Sequence, residues 1–504
     1  MSDIELVDVS LRDGNQSLWG ATGLRTAHVA RIAPALNRVG FRALDFSSST
    51  AMGVSVRTHR ENPWELLRLA RAAMPDVRLQ FIGTGFRFIS WERAHPEVME
   101  LVYRTLVNNG MDRFVVLDPT HDMDAVRETA RIIKRAGGAG TEVIAALTYT
   151  ISPAHDDAFY AGIAGQMAAC GDIDRAYLKD PAGILTPGRA GSLIPAVRAA
   201  LAGKPLELHS HASLGLSPLT SVLAADLGVS VLQVGCGALG NGTSLPDAER
   251  LVANLRASGH RVDTDDRLLS VVARYFDAVA AAEGLPAGKP GEFDAAFLNH
   301  QVAGGVMTTT RRQLRELGME ERFGELMEEI TRVRAELGYP IMVTPFPQMV
   351  IGQALANLLS VSGAPGMGAG SPGGARYDSV PDQVIRYVLG TFGKPTAPVD
   401  DWVLDRVLSR PRAVELRAEP PPPSVAELRK RFGSRVGDEE LLLRFGMPGA
   451  EVDAMLAAGP AVTHYNPDVR PVLGLLRELA GRRPAARLSV EKPGFRLTLS
   501  RSAP

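Results

Sequence analysis

Residues 205–235, PLELHSHASLGLSPLTSVLAADLGVSVLQVG, pass from one short apolar run through a polar loop and a helical segment into a second apolar run, Val229–Gly235. Strand-length runs that alternate with helical or turn-rich segments are the pattern of β/α units. The same alternation fills the chain before them. The runs are Glu5–Val9, Arg42–Phe46, Val77–Ile82, Arg113–Leu117, Glu142–Tyr149, Arg175–Lys179, Pro205–His209 and Val229–Gly235, with helical stretches such as Thr26–Val39 and Ala125–Ala136 between them. Eight such units predict an α/β fold of the TIM (β/α)8 type, a closed parallel barrel. An open doubly wound sheet is the rival. It usually carries a Gly-rich phosphate loop after its first strand, and LRDGNQS, residues 11–17, is not one.

A chain of 504 residues exceeds one ordinary core, so a barrel of about 250 residues leaves room for further domains. Beyond residue 260 the pattern turns helical, with Arg311–Leu337 and Gln348–Leu359 as expected helices. A Gly- and Pro-rich loop, Ser362–Gly374, precedes a further helix in YDSVPDQVIRYVLGTFGKP, and Pro420–Pro423 is a stiff spacer. In the tail, RLSVEKPGFRLTLS (residues 487–500) alternates about a Lys-Pro-Gly turn and predicts a β-hairpin. The expected division is a barrel at 1–285, a mainly helical C-terminal domain at 286–475 that completes the active site, and a tail at 476–504 as a possible docking element.

With 55 Lys+Arg against 56 Asp+Glu, no global field recruits nucleic acid or an anionic membrane, and a small-molecule substrate is expected. No membrane-length apolar run and no signal-peptide pattern is present, which reads as a cytoplasmic protein. Cys170 and Cys236 are the only cysteines, so neither a disulfide framework nor a multi-Cys zinc site can form. Cys236 reads as a small core residue.

In a barrel of this class the reactive groups stand at the C-terminal ends of the strands. Asp13 follows strand 1, Lys179 ends strand 6, and His209 and His211 end strand 7. Side chains alternate along a strand, so His-x-His sets both imidazoles on one face where they can bind one ion, with a carboxylate from strand 1 as third ligand. Each residue also has a plainer reading: the histidines as loop hydrogen-bonders, Asp13 as a turn or cap residue, Lys179 as a partner of Asp180. A buried lysine at a barrel mouth has two chemical uses. One is a Schiff base with a carbonyl substrate. The other is carbamylation by carbon dioxide, which makes the amine an anionic oxygen ligand, and the neighbouring His-x-His favours it.

Taken together, DVSLRDGNQSL, YLKDPAGILTP, HSHASLG, GNGTSLP and VPDQVIRYVLGTFGKP resemble the carboxyltransferase component of biotin-dependent carboxylases, the group that includes pyruvate carboxylase, the oxaloacetate decarboxylase alpha chain and transcarboxylase. The resemblance runs from about residue 3 to residue 460. It implies a divalent metal (zinc, manganese or cobalt) on Asp13, carbamylated Lys179, His209 and His211, with CO2 needed for the carbamate. It implies Arg12 and Gln16 as acceptor contacts and Thr308, in GGVMTTT, as the catalytic proton shuttle between biotin and the acceptor carbon. A helix N-cap is the plainer reading of Thr308. The implied partners are a biotin carboxyl carrier protein, a biotin carboxylase subunit and a second copy in a homodimer. The chain carries no Met-Lys-Met-like attachment site, so biotin is expected in trans.

The departures from the family pattern concern the acceptor. Members that use pyruvate or oxaloacetate grip the substrate carboxylate with an arginine in Leu-Leu-Arg-Gly; here LQFIGTGFRF places Ile82 there. The Asp of GGATFDV that orients the arginine is Gly53 in SSTAMGV, and RDAHQS is RDGNQS. The expected acceptor is 2-oxo acid-like but not plain pyruvate, with Arg87 as a replacement grip. Two other functions fit parts of the pattern: a biotin-independent metal-dependent lyase or decarboxylase, and a non-catalytic scaffold paralogue.

Overall fold

The computed structural model describes residues 3–90, 92–302, 310–311, 313–362, 375–467, 487–492 and 495–500. Eight parallel strands form the barrel: β1 Asp3–Asp8, β2 Ala43–Ser48, β3 Arg78–Thr84, β4 Arg113–Leu117, β5 Glu142–Thr148, β6 Arg175–Asp180, β7 Leu206–Ser210 and β8 Val231–Val234. Each pairs with the next, and β1 closes the ring by pairing with both β8 (Leu6 opposite Leu232) and β2 (Val7 opposite Ala43). A two-residue strand, β9 at Arg261–Val262, extends β1 at its start. The strands match the runs expected from sequence to within a few residues. Where they stop short, backbone bonds carry the ladder on: Tyr149 N donates to Lys179 O at 2.7 Å and His211 N to Asp180 O at 3.0 Å. His211 therefore keeps the extended alternation set by His209.

Helices follow each strand and bury one face against the barrel wall. Met123–Gly137 is typical. Asp122 accepts from the amides of Asp124 and Ala125, Val126, Ala130 and Ile133 turn inward at helical spacing, and Lys134 and Arg135 sit at the negative end of the helix dipole.

The long helix expected at Arg311–Leu337 is two. Gly318 takes φ 68°, the Met319 amide reaches back to Leu314 O and the Gly318 amide to Arg315 O, a Schellman stop that a side chain at Gly318 would strain. The second helix is Phe323–Glu336. It packs with Phe346–Ser362, Asp382–Val388, Asp401–Leu408 and Pro411–Arg417 around a separate core that includes Leu326, Ile330, Val350, Tyr377, Tyr387 and Val403. After Pro420–Pro423 the chain returns to the barrel, where Leu428, Leu441, Leu442, Val452 and Met455 join the barrel's own core. Trp64 Nε1 fixes that return by donating to Glu439 O at 3.1 Å. The tail forms an antiparallel pair, β10 Arg487–Lys492 and β11 Phe495–Ser500, with Lys492 opposite Phe495. Among the described residues no helix is long and apolar enough to cross a membrane. Cys236 is buried in the barrel core, where its thiol donates to Asp8 Oδ1 at 3.3 Å.

Candidate metal centre at the barrel mouth

Asp13, Lys179, His209 and His211 converge. Asp13 comes from the wide helical turn Ser10–Gly14 directly after β1, and the other three from adjacent strands whose register sets Lys179 opposite His209. The ligand atoms of Asp13, His209 and His211 lie within 4.8 Å of one another, and all three side chains are buried. Both histidine Nε2 atoms are 3.5 Å from an Asp13 oxygen and 3.0 Å from each other. Lys179 Nζ is 2.8 Å from His209 Nε2 and 3.5 Å from Asp13 Oδ2.

The outer nitrogens test whether this set suits an ion. His209 Nδ1 meets Gln233 Oε1 at 2.9 Å and His211 Nδ1 meets the Thr243 carbonyl at 2.7 Å. Both partners accept, so both Nδ1 atoms carry the proton and both Nε2 lone pairs face the same space. Burial holds each imidazole below its ordinary pKa, so neither relieves this by protonation. Two converging lone pairs beside a carboxylate are the donors a divalent cation takes, with outer acceptors orienting the rings.

The charges are arranged to keep Asp13 ionised. Burial opposes its charge, but the surrounding basic groups, the Arg12 guanidinium foremost, outweigh that and hold it well below the usual carboxylate range. Burial pulls the Lys179 ammonium below its ordinary value, and Asp13 restores only part of the loss, which makes its proton easier to remove than that of an exposed lysine. Asp180 is not its partner. Its carboxylate accepts from the amides of Gly183, Ile184 and Leu185 and from Ser210 Oγ, which fixes the loop after β6. Gly183 in that loop takes φ +73°, and a Cβ there would lie 2.5 Å from His211 O. The Lys-Asp-Pro-Ala-Gly run thus seats the loop against His211.

Arg12 bridges Asp13, at 2.9 Å, and Asp45, and its buried Nε has no hydrogen-bond partner in the protein. Gln16 lies half-buried on the adjoining short helix Asn15–Trp19. Thr308 lies outside the described residues. Arg87 is buried against the helical region: Nη2 donates to Thr391 O at 3.1 Å and the guanidinium lies 4.9 Å from the Phe392 ring centroid. Burial brings its pKa down to about 10. These contacts join the β3 loop to GTFGKP. Ile82 lies in an apolar cluster inside the barrel with Val115, Leu117, Ile144, Ala146 and Tyr177, against which Val343 of the helical region packs. A Cβ at Gly53 would meet Ile89 Cγ2 at 3.3 Å. Hydrocarbon thus borders both positions where the family pattern has an arginine and its aspartate.

Sequence reasoning missed Gln233, Asp45, Ile89 and the Thr243 carbonyl. The first two carried a signal. Gln233 and Asp45 are polar residues inside apolar strands, where an unpaired polar group is costly and a specific partner is expected.

The fold and the site together define a (β/α)8 barrel whose mouth presents a His-His-Asp cation site beside a buried lysine. A family profile described as a conserved carboxylase domain matches residues 297–453. A pyruvate carboxylase subunit of Methanocaldococcus jannaschii is 32% identical over 406 residues, which cover 80% of this chain and 68% of that protein. The 2-oxoglutarate carboxylase large subunit of Hydrogenobacter thermophilus is 28% identical over 477 residues, covering 92% and 70%. The carboxyl transferase domain from Rhizobium etli pyruvate carboxylase with pyruvate superposes with a TM-score of 0.81 at 23% identity, over 100% of this chain and 84% of that one, a likeness of fold. The chain belongs to the carboxyltransferase family of the biotin-dependent carboxylases. It is an enzyme of carboxyl transfer, which sets aside the biotin-independent lyase and the silent scaffold.

Proposed function

We propose that this chain moves a carboxyl group between carboxybiotin, carried on a separate biotin carboxyl carrier protein, and an enolisable, 2-oxo acid-like acceptor other than plain pyruvate. The observation that carries the acceptor reading is Ile82, seated in hydrocarbon where the family pattern has a carboxylate-binding arginine. An aliphatic side chain offers a carboxylate nothing to replace its lost hydration. Asp13, His209, His211 and Lys179 as its carbamate would hold zinc, manganese or cobalt. A divalent ion there supplies Lewis-acid stabilisation where negative charge develops on a carbonyl oxygen.

The chain's own residues do the rest. Arg12, fixed between Asp13 and Asp45, presents a buried positive charge to the acceptor, with Gln16 beside it. The apolar wall of Ile82, Leu117 and Val343 keeps water from the reacting carbon. Thr308 carries the proton between biotin and the acceptor. Arg87, held against Thr391 O and the Phe392 ring, grips an acceptor carboxylate, and its substitution separates a binding role from a packing one. The barrel at 1–285 and the helical region at 286–475 build the site between them, and the tail at 476–504 serves docking. A homodimer working in the cytoplasm with a biotin carboxylase subunit completes the reading.

The test is a panel of 2-oxo acids offered to the purified chain with carboxybiotin, together with Ile82→Arg, Gly53→Asp and their combination. The wild-type chain is expected to leave pyruvate at background while another acceptor turns over, and the double variant to gain pyruvate activity. Pyruvate turnover by the wild type at rates typical of the family would overturn the acceptor reading.

A further inference from the structure

The last residue of β5, Thr148, is fully buried, and its Oγ has no hydrogen-bond partner. Its backbone is well committed: Thr148 N donates to His121 Nε2 at 2.9 Å, and its carbonyl accepts from Tyr160 Oη at 3.4 Å. The hydroxyl alone is unanswered. A buried hydroxyl without a partner costs free energy that an isosteric valine would not.

Register shows what lies beside it. β5 and β6 pair Ala146 with Tyr177 and, two residues on, Thr148 with Lys179. Ala146 and Tyr177 both belong to the cluster inside the barrel. Alternation along each strand therefore puts Thr148 and Lys179 on the same inner face, next to each other. The unpaired hydroxyl and the buried amine share one wall of the mouth.

We propose that Thr148 is a positioning residue whose hydroxyl donates a hydrogen bond to the carbamate of Lys179, to the oxygen not directed at the cation site. The inference rests on the reading of Lys179 as a carbamate. In that step the Nζ lone pair of the neutral amine bonds to the carbon of carbon dioxide. One C–O π pair moves onto oxygen, and Nζ gives up a proton to solvent. The product is an N-carboxylate with two oxygens in place of one amine. One oxygen turns toward Asp13, His209 and His211, and the other needs a donor. Thr148 stands on the neighbouring strand with a proton to give, and the hydroxyl that is costly beside the bare amine is satisfied beside the carbamate.

The experiment uses the full chain with Thr148→Val, Thr148→Ser and Thr148→Ala, equilibrated over a range of 13C-bicarbonate with zinc present. Carbamate occupancy is read by 13C NMR and bound zinc by elemental analysis. For Thr148→Val the carbon dioxide concentration for half-occupancy rises about tenfold or more, as expected for loss of a hydrogen bond to a charged group. Thr148→Ser stays close to wild type, and melting of the metal-free proteins is unchanged or improved in the valine variant. Thr148→Ala takes the place of the valine variant should that one fail to fold. Occupancy in the hydroxyl-free variants equal to wild type overturns the proposal and leaves the carbamate reading standing. A wild-type chain that binds zinc without any carbamate signal overturns the carbamate reading, and the role of Thr148 with it.

Discussion

The two ends of the barrel are built from the same strands and treat charge in opposite ways. β6 begins with Arg175 and carries Lys179 near its end; β7 has Glu207 near its start and His209 further on. At the N-terminal floor the charges answer one another. Arg113 donates through Nε to Gln80 at 2.8 Å and through Nη2 to Glu207 at 2.7 Å, and it also pairs with Glu142. Arg175 and Arg42 reach Glu142 at 2.7 and 2.6 Å, and Arg42 reaches Glu5 as well. At the mouth two lone pairs and a carboxylate face one space, with a single lysine amine between them. Charges that are paired define the shape of a barrel end, and lone pairs left facing a carboxylate create a place for a ligand. Gln80 and Asp45 link the two, since Gln80 Nε2 donates to Asp45 Oδ1 at 3.0 Å and Asp45 holds Arg12.

Substitutions at each end break this contrast differently. His209→Ala removes a donor that serves the mouth alone. Turnover is expected to fall at least about a thousandfold with loss of bound metal, while the thermal midpoint shifts little. Steady-state rates, metal analysis and a melting curve check it, and a large loss of stability would show that the histidine supports the fold. Glu207→Ala does the reverse, because it leaves fully buried Arg113 with one carboxylate partner fewer. About 3–5 kcal/mol of stability should be lost in denaturant titration, with turnover per folded molecule retained. The smallest effect is expected from Gln233→Ala, which frees the His209 ring to turn. Metal affinity should drop about 10–100-fold and activity return with excess metal, so unchanged affinity would remove Gln233 from the site.

Much of this was legible along the chain because barrel strands impose a simple code. Strand runs of branched residues set the count of eight, and the rule that chemistry sits at strand ends selected Asp13, Lys179, His209 and His211 out of all the acids, lysines and histidines. The split of Arg311–Leu337 was less visible, since the apolar spacing continues across Gly318 and only its positive φ decides the break. Asp180 was readable as a partner for Lys179 because the two are adjacent in sequence, yet neighbours on a strand point to opposite faces, and Asp180 binds the loop amides instead. The Arg87 contacts with Thr391 and Phe392 span some 300 residues of chain, and no local pattern announces them.

By itself, then, the sequence determined the barrel, the helical addition and the four residues at the mouth, because each depends on residue type and on local period. Only the tertiary structure decided which nitrogen of each histidine faces the space beside Asp13, that Arg113 is met by carboxylates from two other strands, that Val343 closes the wall beside Ile82, and that Thr148 stands unpaired next to Lys179. Those facts depend on register between strands and on contacts between distant segments. Both are fixed when the ring closes and the helical region packs against it, and neither is carried by the order of residues along any one strand.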